Sequence, residues 1–306
     1  MMTDAATLLV FALLLDAALG EPKWLWDRVP HPAVLMGRLI GWCDEQVNTG
    51  PARRAKGAAV VAALSAAALA LGWMIASLPF GWLWSVLGAA ILLAQKSLVD
   101  HVQAVADGLR GSLEDGRHAV SMIVGRDTRT MTEADISRAA IESAAENLSD
   151  GVIAPAFWFL VGGLPGIIFY KIINTADSMI GHRTDRHEDF GWAAARLDDL
   201  LNWAPARITA ALIAMTHWGR GAWKTARAEA WQHRSPNAGW PEAAMARVLD
   251  LSLSGPRSYG GVMTTDPCLN PGGRRGADAR DIDRAITVLW RAWAATLAFC
   301  VLLSAM

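Results

Sequence analysis

The sequence predicts an all-α, polytopic integral membrane protein with a broken or re-entrant helix and cytoplasmic helical loops. Residues 58–78 are apolar and uncharged, and a helix needs about 20 such residues to cross a bilayer. Only 19% of the residues are charged, against about 25% in soluble domains. The chain has 15 Trp and 2 Tyr, and Trp is favoured at the membrane–water interface.

Further apolar segments follow the same pattern. The Pro-Phe-Gly sequence at 79–81 predicts a tight turn, so that residues 82–94 return as the second arm of a hairpin. The Gly-Gly-Leu-Pro-Gly sequence at 162–166 should break the apolar segment 152–173, because glycine and proline destabilise a helix interior. The other apolar segments are 5–20, 203–219, which contains Arg207, and 285–306.

Charge and cysteine content argue against several classes of protein. A net charge of −1 gives no basic surface for nucleic acid, so we expect no nucleic-acid partner. Cys43, Cys268 and Cys300 are far apart and form no CxxC motif, which disfavours a zinc site or a disulfide framework. No Lys or Arg precedes residues 5–20, so we expect a retained membrane helix there rather than a signal peptide.

Lysine and arginine are concentrated in the polar stretches between the apolar segments. The positive-inside rule therefore places these stretches in the cytoplasm and both termini outside. Two full spans at 152–173 and 203–219 would put residues 174–202 outside, so we favour a re-entrant segment at 152–173. We treat 1–306 as a single integral membrane domain. The polar stretches are 21–57, 96–150, 174–202 and 220–284, the last a candidate small cytoplasmic subdomain.

A helix that carries an acidic stripe is expected to start with a capping-box-like pattern at Thr132 to Asp135 and to end near Gly151 and Pro155. Glu142, Glu146 and Asp150 are spaced i, i+4 and i+8, which places them on one helical face. Three carboxylates near a membrane favour a cation, and Mg²⁺ prefers oxygen ligands. The alternative is a solvated acidic face in which Arg138 pairs with Glu142.

A second polar cluster directly follows the broken apolar segment. Lys171, Asn174, Asp177 and Ser178 share a helical face by i, i+3 and i+4 spacing. Polar side chains at a membrane boundary are costly unless they bind something, which favours a functional role. A plain ion pair between Lys171 and Asp177 is the alternative, and His182 alone is more typical of a surface histidine.

Weaker signals complete the set. Asp198 and Asp199 lie near Asn202, a pattern that is also common at helix ends. Arg207 lies inside an apolar segment, where it suits a phosphate or a carboxylate. Arg126 belongs to a Gly-Arg-Asp-Thr sequence that predicts either a turn or a phosphate-binding loop. These residues together suit magnesium and a phosphorylated substrate without naming a reaction.

The same residues resemble the adenosylcobinamide-phosphate synthase family of membrane enzymes. The resemblance runs in order through most of the chain, and its most specific parts are residues 142–151 and 237–243. The matching motifs are His31-Pro32 with Met36-Gly37, 124–128, 142–151, Tyr170-Lys171, Asn174-Thr175, 177–182, 195–199, Asn202, 205–207 and 235–243.

This resemblance implies a reaction. A propionate carboxyl of the corrinoid adenosylcobyric acid is joined through an amide bond to aminopropanol phosphate or threonine phosphate, with Mg²⁺ as cofactor and ATP as co-substrate. It also implies a multi-pass protein of the cell (inner) membrane, in contact with the lipid bilayer and with other cobalamin-pathway membrane enzymes as candidate partners. The aminopropanol phosphate needs a basic pocket, for which Lys171, Arg183 and Arg207 are candidates.

The site assignments combine these patterns with the resemblance. Our candidate catalytic residues are Lys171, Asp177 and Glu146. The candidate magnesium ligands are Glu142, Glu146, Asp150, Asp177, Asp198 and Asp199. The candidate substrate-binding residues are Arg126, Asn147, Asn174, Ser178, His182, Arg183, Arg207, Asn237 and Glu242.

Two other functions would use a similar sequence. A magnesium-dependent membrane transferase acting on polyprenyl diphosphates would also place Asn and Asp motifs at helix ends, but it needs a long lipid-facing groove. A non-enzymatic sensor or a transporter is the second alternative. Transport would need a polar path across the middle of the membrane, whereas most charges here lie outside the spans.

The charge pattern makes a prediction about membrane topology. Single cysteines introduced as Arg117→Cys and Arg274→Cys in a cysteine-free background should resist a membrane-impermeant thiol reagent in intact cells, because both stretches are expected in the cytoplasm. Permeabilised cells provide the positive control. Labelling of either position from outside would refute this topology.

Overall fold

Helices form nearly all of the regular structure in the computed structural model, which describes residues 2–218, 221–256, 258–259, 262–263 and 265–306. In chain order they are α1 (Met2–Leu19), α2 (Lys23–Trp26), α3 (Pro32–Val47), α4 (Arg53–Ala76), α5 (Gly81–Leu92), α6 (Gln95–Gly111), α7 (Leu113–Ser121), α8 (Glu133–Leu148), α9 (Ala154–Ile180), α10 (Trp192–Leu201), α11 (Trp203–Thr216), α12 (Ala222–Glu229), α13 (Gly239–Leu249) and α14 (Ala279–Ser304). A π-helical turn occupies Ser149–Ile153, and a 3₁₀ turn occupies Ala230–Gln232.

The described strands are short and antiparallel. They are β1 (Leu253–Ser254), β2 (Ser258–Tyr259), β3 (Val262–Met263) and β4 (Cys268–Leu269). β1 pairs with β4, with Leu253 opposite Leu269, and β2 pairs with β3. The predicted all-α class is therefore confirmed, with these strands as a small addition.

Four helical segments of the described chain are long and apolar enough to cross a membrane. They are Arg53–Ala76, Gly81–Gly111, Glu133–Ile180 and Ala279–Ser304. The turn predicted at residues 79–81 is confirmed, since α4 ends at Ala76 and α5 begins at Gly81.

The apolar segment at 203–219 forms a helix that is too short to span a bilayer. α11 has 14 residues, so it is about 21 Å long at 1.5 Å per residue. The hydrocarbon core of a bilayer is about 30 Å thick. This weaker apolar segment is therefore a shorter helix, and its last residue, Gly219, lies outside the described residues.

The predicted break in the apolar segment 152–173 is confirmed. Gly163 has φ 60° and ψ −150° inside α9, and Pro165 follows it. A residue with a side chain rarely adopts that φ, whereas glycine does so readily. Pro165 lacks the N–H that would continue the helical hydrogen bonds. These two residues kink α9, and the helix resumes as far as Ile180.

The start of α8 follows the prediction, and its end does not. Thr132 caps the helix in a capping box with Asp135. The expected end near Gly151 and Pro155 is wrong, because the chain passes through the π-helical turn directly into α9. Proline is tolerated in the first turn of a helix, which is where Pro155 stands in α9.

The chain divides into two compact units. The first unit comprises Met1–Ala94, Ala154–Asn202 and Phe299–Met306, and within it α9 packs against α3, α4, α5 and α10. The second unit comprises Gln95–Ile153 and Trp203–Ala298, with a core rich in alanine and branched aliphatic side chains. Residues 220–284, the candidate subdomain, belong to this second unit.

Candidate functional site

The second polar cluster lies in the first unit, on the part of α9 that follows the kink. Lys171, Asn174, Asp177 and Ser178 all fall within this helix, as their spacing predicted. Lys171, Asn174 and Asp177 are half-buried, and Ser178 is exposed. The Ser178 hydroxyl donates to the Asn174 carbonyl oxygen at 2.9 Å. The resumed helix thus presents a row of polar groups beyond an apolar segment.

Asp198 of α10 joins this cluster through a chain of hydrogen bonds. Its carboxylate accepts from Asn174 Nδ2 at 3.3 Å and from Asn202 Nδ2 at 2.9 Å. Asn202 Oδ1 in turn accepts from the Tyr170 hydroxyl at 3.0 Å. Tyr170 is fully buried, and Asn202 is only 1% exposed. These bonds fix Asp198 from both α9 and the end of α10.

Burial and charge both act on the acidic groups of α10. Burial raises the pKa of Asp198 to about 7, and the nearby Asp177 carboxylate adds to the rise, while the bonds from Asn174 and Asn202 oppose it. Burial also raises the pKa of Asp199, against the opposing charge of Arg196. A cation bound here would relieve the repulsion between Asp177 and Asp198.

The acidic residues named as magnesium ligands are divided between the two units. Asp177, Asp198 and Asp199 lie in the first unit, and Glu142, Glu146 and Asp150 lie in the second. The described part of the chain contains no group of three or more His, Cys, Asp or Glu side chains arranged to hold a metal ion. Mg²⁺ often binds through one or two carboxylates together with water and substrate phosphates. The oxygen donors of Asp177 and Asp198 fit that more open kind of site.

Glu142, in the second unit, is buried and forms ion pairs. Its Oε2 accepts from Arg126 Nη2 at 2.8 Å, and its Oε1 accepts from the Ser254 backbone N–H at 2.7 Å. Arg138 Nε lies 3.9 Å from Oε1. Since Glu142 is only 2% exposed, a solvated acidic face does not describe it. Both Glu142 and its predicted substrate-binding neighbour Arg126 therefore have partners inside the protein.

The other members of the acidic stripe have different surroundings. Glu146 is exposed on the last turn of α8, while Asp150 is half-buried in the π-helical turn. The π turn changes the hydrogen-bond spacing of the helix at Asp150. Asn147 is exposed, and its Nδ2 donates to the Ser143 carbonyl oxygen at 2.9 Å. Such π turns frequently occur at functional sites.

Arg207 and Asn237, both predicted to bind substrate, are brought together in the second unit. Arg207 Nη1 donates to Asn237 Oδ1 at 3.3 Å and to the Trp203 carbonyl oxygen at 2.5 Å. The guanidinium lies 4.6 Å from the Trp203 ring centre and 4.7 Å from that of Trp240. Burial lowers the pKa of Arg207. The two indoles hold the flat guanidinium in a fixed orientation.

Glu242, also assigned to substrate binding, has a partner within the second unit. It is 1% exposed, and its Oε1 lies 3.4 Å from His233 Nε2. His233 Nδ1 accepts from the Ser235 N–H, and Ser235 Oγ accepts from the Asn237 N–H. The pair therefore orders the turn that presents Asn237 to Arg207.

His182 and Arg183 lie in the connection between α9 and α10. Both are exposed. Neither side chain makes a hydrogen bond or an ion pair with any other residue that the structure describes, although the His182 carbonyl oxygen accepts from the Thr184 N–H at 2.9 Å. Their polar atoms are therefore available to a bound molecule.

His31 was not assigned a role from the sequence, yet the structure gives it a defined one. Its Nδ1 caps α3 by accepting from the Ala33 N–H at 3.2 Å, so Nε2 carries the proton and donates to the Ile91 carbonyl oxygen at 3.2 Å. Burial lowers the pKa of His31. The charge of Glu21 and the bond to the Ile91 carbonyl raise it by less, and the charge of Lys171 lowers it further. The sequence signal for this cap was the proline after His31, because proline is favoured at the first position of a helix and the residue before it is then the cap.

Comparison with known proteins identifies similar chains. The model of the family described as CobD/Cbib protein matches residues 9–289. The cobalamin biosynthesis protein CobD of Rhizobium meliloti is 50% identical over 309 residues, covering 95% of this chain and 94% of that protein. Those of Brucella suis and Rhodobacter capsulatus are 52% and 47% identical, covering 92% and 87% of this chain and 91% and 87% of those proteins. No solved structure matches the chain.

The environment of His31 predicts a pH-dependent contribution to stability. Because folding lowers the pKa of His31, the unfolded chain binds more protons, so this contribution is complete above about pH 6.5 and is lost as the pH falls through the lowered value. His31→Asn keeps a capping acceptor and removes the titrating ring. The melting temperature of the detergent-solubilised variant should therefore fall less than that of the wild type between about pH 7 and about pH 5.

The exposed His118 supplies the control. The pH dependence of His118→Asn should follow that of the wild type. An identical pH dependence for His31→Asn and the wild type would contradict the assignment of this stability change to His31.

Proposed function

We propose that this chain, which belongs to the CobD/Cbib protein family, is an ATP- and Mg²⁺-dependent ligase of cobalamin biosynthesis. It joins adenosylcobyric acid to (R)-1-amino-2-propanol phosphate or threonine phosphate, and with the former gives adenosylcobinamide phosphate. The observation that carries this proposal is family membership over nearly the whole chain. The relatives are named as cobalamin biosynthesis proteins, which supports a role in that pathway. Nothing observed favours the polyprenyl transferase or the transporter.

The amide bond requires an activated carboxylate. A carboxylate oxygen of the corrinoid attacks the γ-phosphorus of ATP, which forms an acyl phosphate and releases ADP. The amine nitrogen then attacks the acyl carbon, inorganic phosphate leaves, and the nitrogen loses a proton. Negative charge develops on phosphoryl and carbonyl oxygens in both steps, where cationic groups are most effective.

The cluster on α9 and α10 supplies groups for this chemistry. Asp177 and Asp198 would hold Mg²⁺, with Asp199 as a further candidate, and the bound ion would neutralise charge on phosphoryl oxygens. Asn174 and Asn202 orient the Asp198 carboxylate through the bonds described above. Lys171 would provide a point charge for a phosphoryl oxygen, and Ser178 is an exposed donor on the same helix.

Other residues are candidates for binding the substrates. His182 and Arg183 are accessible donors for the phosphate of the amine substrate. In the second unit, the orientation of Arg207 by two indoles and Asn237 suits a phosphate or a carboxylate. Exposed Glu146 and Asn147 and half-buried Asp150 remain candidates there. Glu142, Arg126 and Glu242 take a supporting role, because their partners lie within the protein.

The proposal also extends to the setting of the enzyme. The helices long enough to span a membrane support a multi-pass protein, which we place in the cell (inner) membrane. The substrates would approach from the cytoplasm, and other membrane enzymes of the pathway are candidate partners.

Lys171 and Asp177 provide the test of the catalytic cluster. Lys171→Met keeps the apolar stem and removes the charge, so each single variant and the double variant with Asp177→Asn should stay folded and lose ligation. If the two residues merely form an ion pair, the double variant should retain activity and change stability by about 0–1 kcal/mol. Melting temperature and ligation rate are measured for all three variants.

The control is an exposed Lys–Asp pair on another helix. Lys96 and Asp100 form an i, i+4 ion pair on α6, and Lys96→Met with Asp100→Asn should leave ligation unchanged. Full activity in the Lys171/Asp177 double variant would remove this face of α9 from the catalytic assignment.

A further inference from the structure

The connection between α9 and α10 is anchored by a buried carboxylate on α3. Asp44 is 9% exposed, and its Oδ2 accepts from Arg186 Nε at 2.8 Å. His187 Nε2 lies 3.3 Å from the same oxygen. We call residues 181–191 the anchored loop. Two consecutive side chains of this loop therefore converge on one carboxylate of another helix.

A second set of contacts holds the backbone of the anchored loop. Asn48 Nδ2 donates to Asp44 Oδ1 at 2.7 Å and to the Arg186 carbonyl oxygen at 2.9 Å. Arg53 Nε donates to Asn48 Oδ1 at 2.8 Å, and its Nη2 donates to the carbonyl oxygens of Asp185, at 2.9 Å, and of Arg186. The loop is thus held from the end of α3 and from the start of α4.

The far end of the anchored loop is fixed by close packing. A Cβ at Gly191 would lie 1.6 Å from the Ile180 carbonyl oxygen, so only glycine allows the two ends of the loop to approach this closely. The Gly191 N–H donates to the His187 carbonyl oxygen at 2.8 Å. Close packing at Gly191, together with the bonds from Arg186 and His187 to Asp44, restricts the conformations that the loop can adopt.

His182 and Arg183 lie in the same loop, between Ile180 and the anchored residues 185–187. Both side chains are exposed and make no polar contact with the described residues, as noted above. They follow Asp177 by five and six positions along the chain. An ordered loop that presents two uncommitted donors is suited to an anion, because little conformational entropy is lost on binding.

We propose that Asp44 is a positioning residue, which holds the anchored loop so that His182 and Arg183 bind the phosphate group of the amine substrate. The identity of that substrate rests on the proposed function. The loop contacts do not rest on it. Asp44 itself touches no reacting group in this scheme and acts through Arg186 and His187.

The electrostatics of Asp44 agree with a fixed, ionised anchor. Burial alone would raise the pKa of Asp44, but the hydrogen bonds from Asn48, Arg186 and His187 outweigh it and lower the pKa. The carboxylate is therefore charged at neutral pH. Replacing it with an amide would keep its size but remove the charge that holds Arg186.

The test compares Asp44→Asn with Glu45→Gln. Glu45 is the exposed neighbour on the same helix, so Glu45→Gln makes the same chemical change without breaking the anchor. Arg186→Gln is a second variant that removes one partner of Asp44 from an exposed position, which guards against a folding defect in Asp44→Asn. Hydrogen–deuterium exchange of the peptide spanning 181–191 measures the order of the loop. Isothermal titration measures the binding of aminopropanol phosphate without requiring turnover.

Asp44→Asn and Arg186→Gln should both accelerate exchange in the loop. Both should weaken the binding of aminopropanol phosphate by about tenfold, because a loop that is disordered before binding adds a conformational cost to binding. Affinity for unphosphorylated 1-amino-2-propanol and for adenosylcobyric acid should stay within about twofold, and Glu45→Gln should match the wild type.

Two results would overturn the proposal: unchanged loop exchange in both anchor variants, or faster exchange with unchanged phosphate affinity. A third result would also overturn it: if the anchor variants lose affinity equally for the unphosphorylated amine and for aminopropanol phosphate, the loop does not recognise the phosphate group. If the wild type binds aminopropanol phosphate but catalyses no ligation, the proposed function fails while the positioning role stands.

Discussion

A polar side chain on a membrane helix must find its partner inside the protein, because the hydrocarbon offers no hydrogen bonds. The part of α9 that follows the kink obeys this rule through α10. Tyr170 is fully buried and donates to Asn202, and Asn174 donates to Asp198. The candidate site of the first unit is organised around these bonds. A helix that carries Tyr, Lys, Asn and Asp near an apolar segment depends on the end of α10 for its polar contacts.

The kink at Gly163 determines which part of α9 carries this chemistry. The residues before the kink are apolar, and the polar row begins near Tyr170. Within the row, Asp177 and Asp198 repel each other, and burial adds to the cost of their charge. The fold therefore retains a locally unfavourable pair that a cation would stabilise, as is common where carboxylates serve a function rather than stability.

Local sequence patterns predicted the features that depend on neighbouring residues. The Pro-Phe-Gly turn, the Gly-Pro break, the cap at Thr132 and the polar face from Lys171 to Ser178 all follow from short-range rules and are found in the structure. The π-helical turn at 149–153 escaped prediction, because it changes the hydrogen-bond spacing without a distinctive composition.

Spacing along a helix could not separate structural acids from candidate functional ones. Glu142 pairs with Arg126, 16 residues earlier, and binds Ser254, 112 residues later. Asp44 binds Arg186, 142 residues away. Such partners are set by tertiary packing, so a carboxylate that serves as an anchor looks the same in the sequence as one that binds a metal. Asn202 was visible as an i+4 neighbour of Asp198, but its role depends on Tyr170 being buried beside it.

A ligation assay with the purified protein tests directly whether it forms the amide bond. Adenosylcobyric acid, aminopropanol phosphate, ATP and Mg²⁺ are incubated with the protein, and the corrinoid is analysed by mass spectrometry. We expect a corrinoid product with the mass of adenosylcobinamide phosphate and one ADP for each amide bond, with no product when ATP or Mg²⁺ is omitted. A correctly folded protein that leaves adenosylcobyric acid unchanged with both candidate amines would contradict the proposed function.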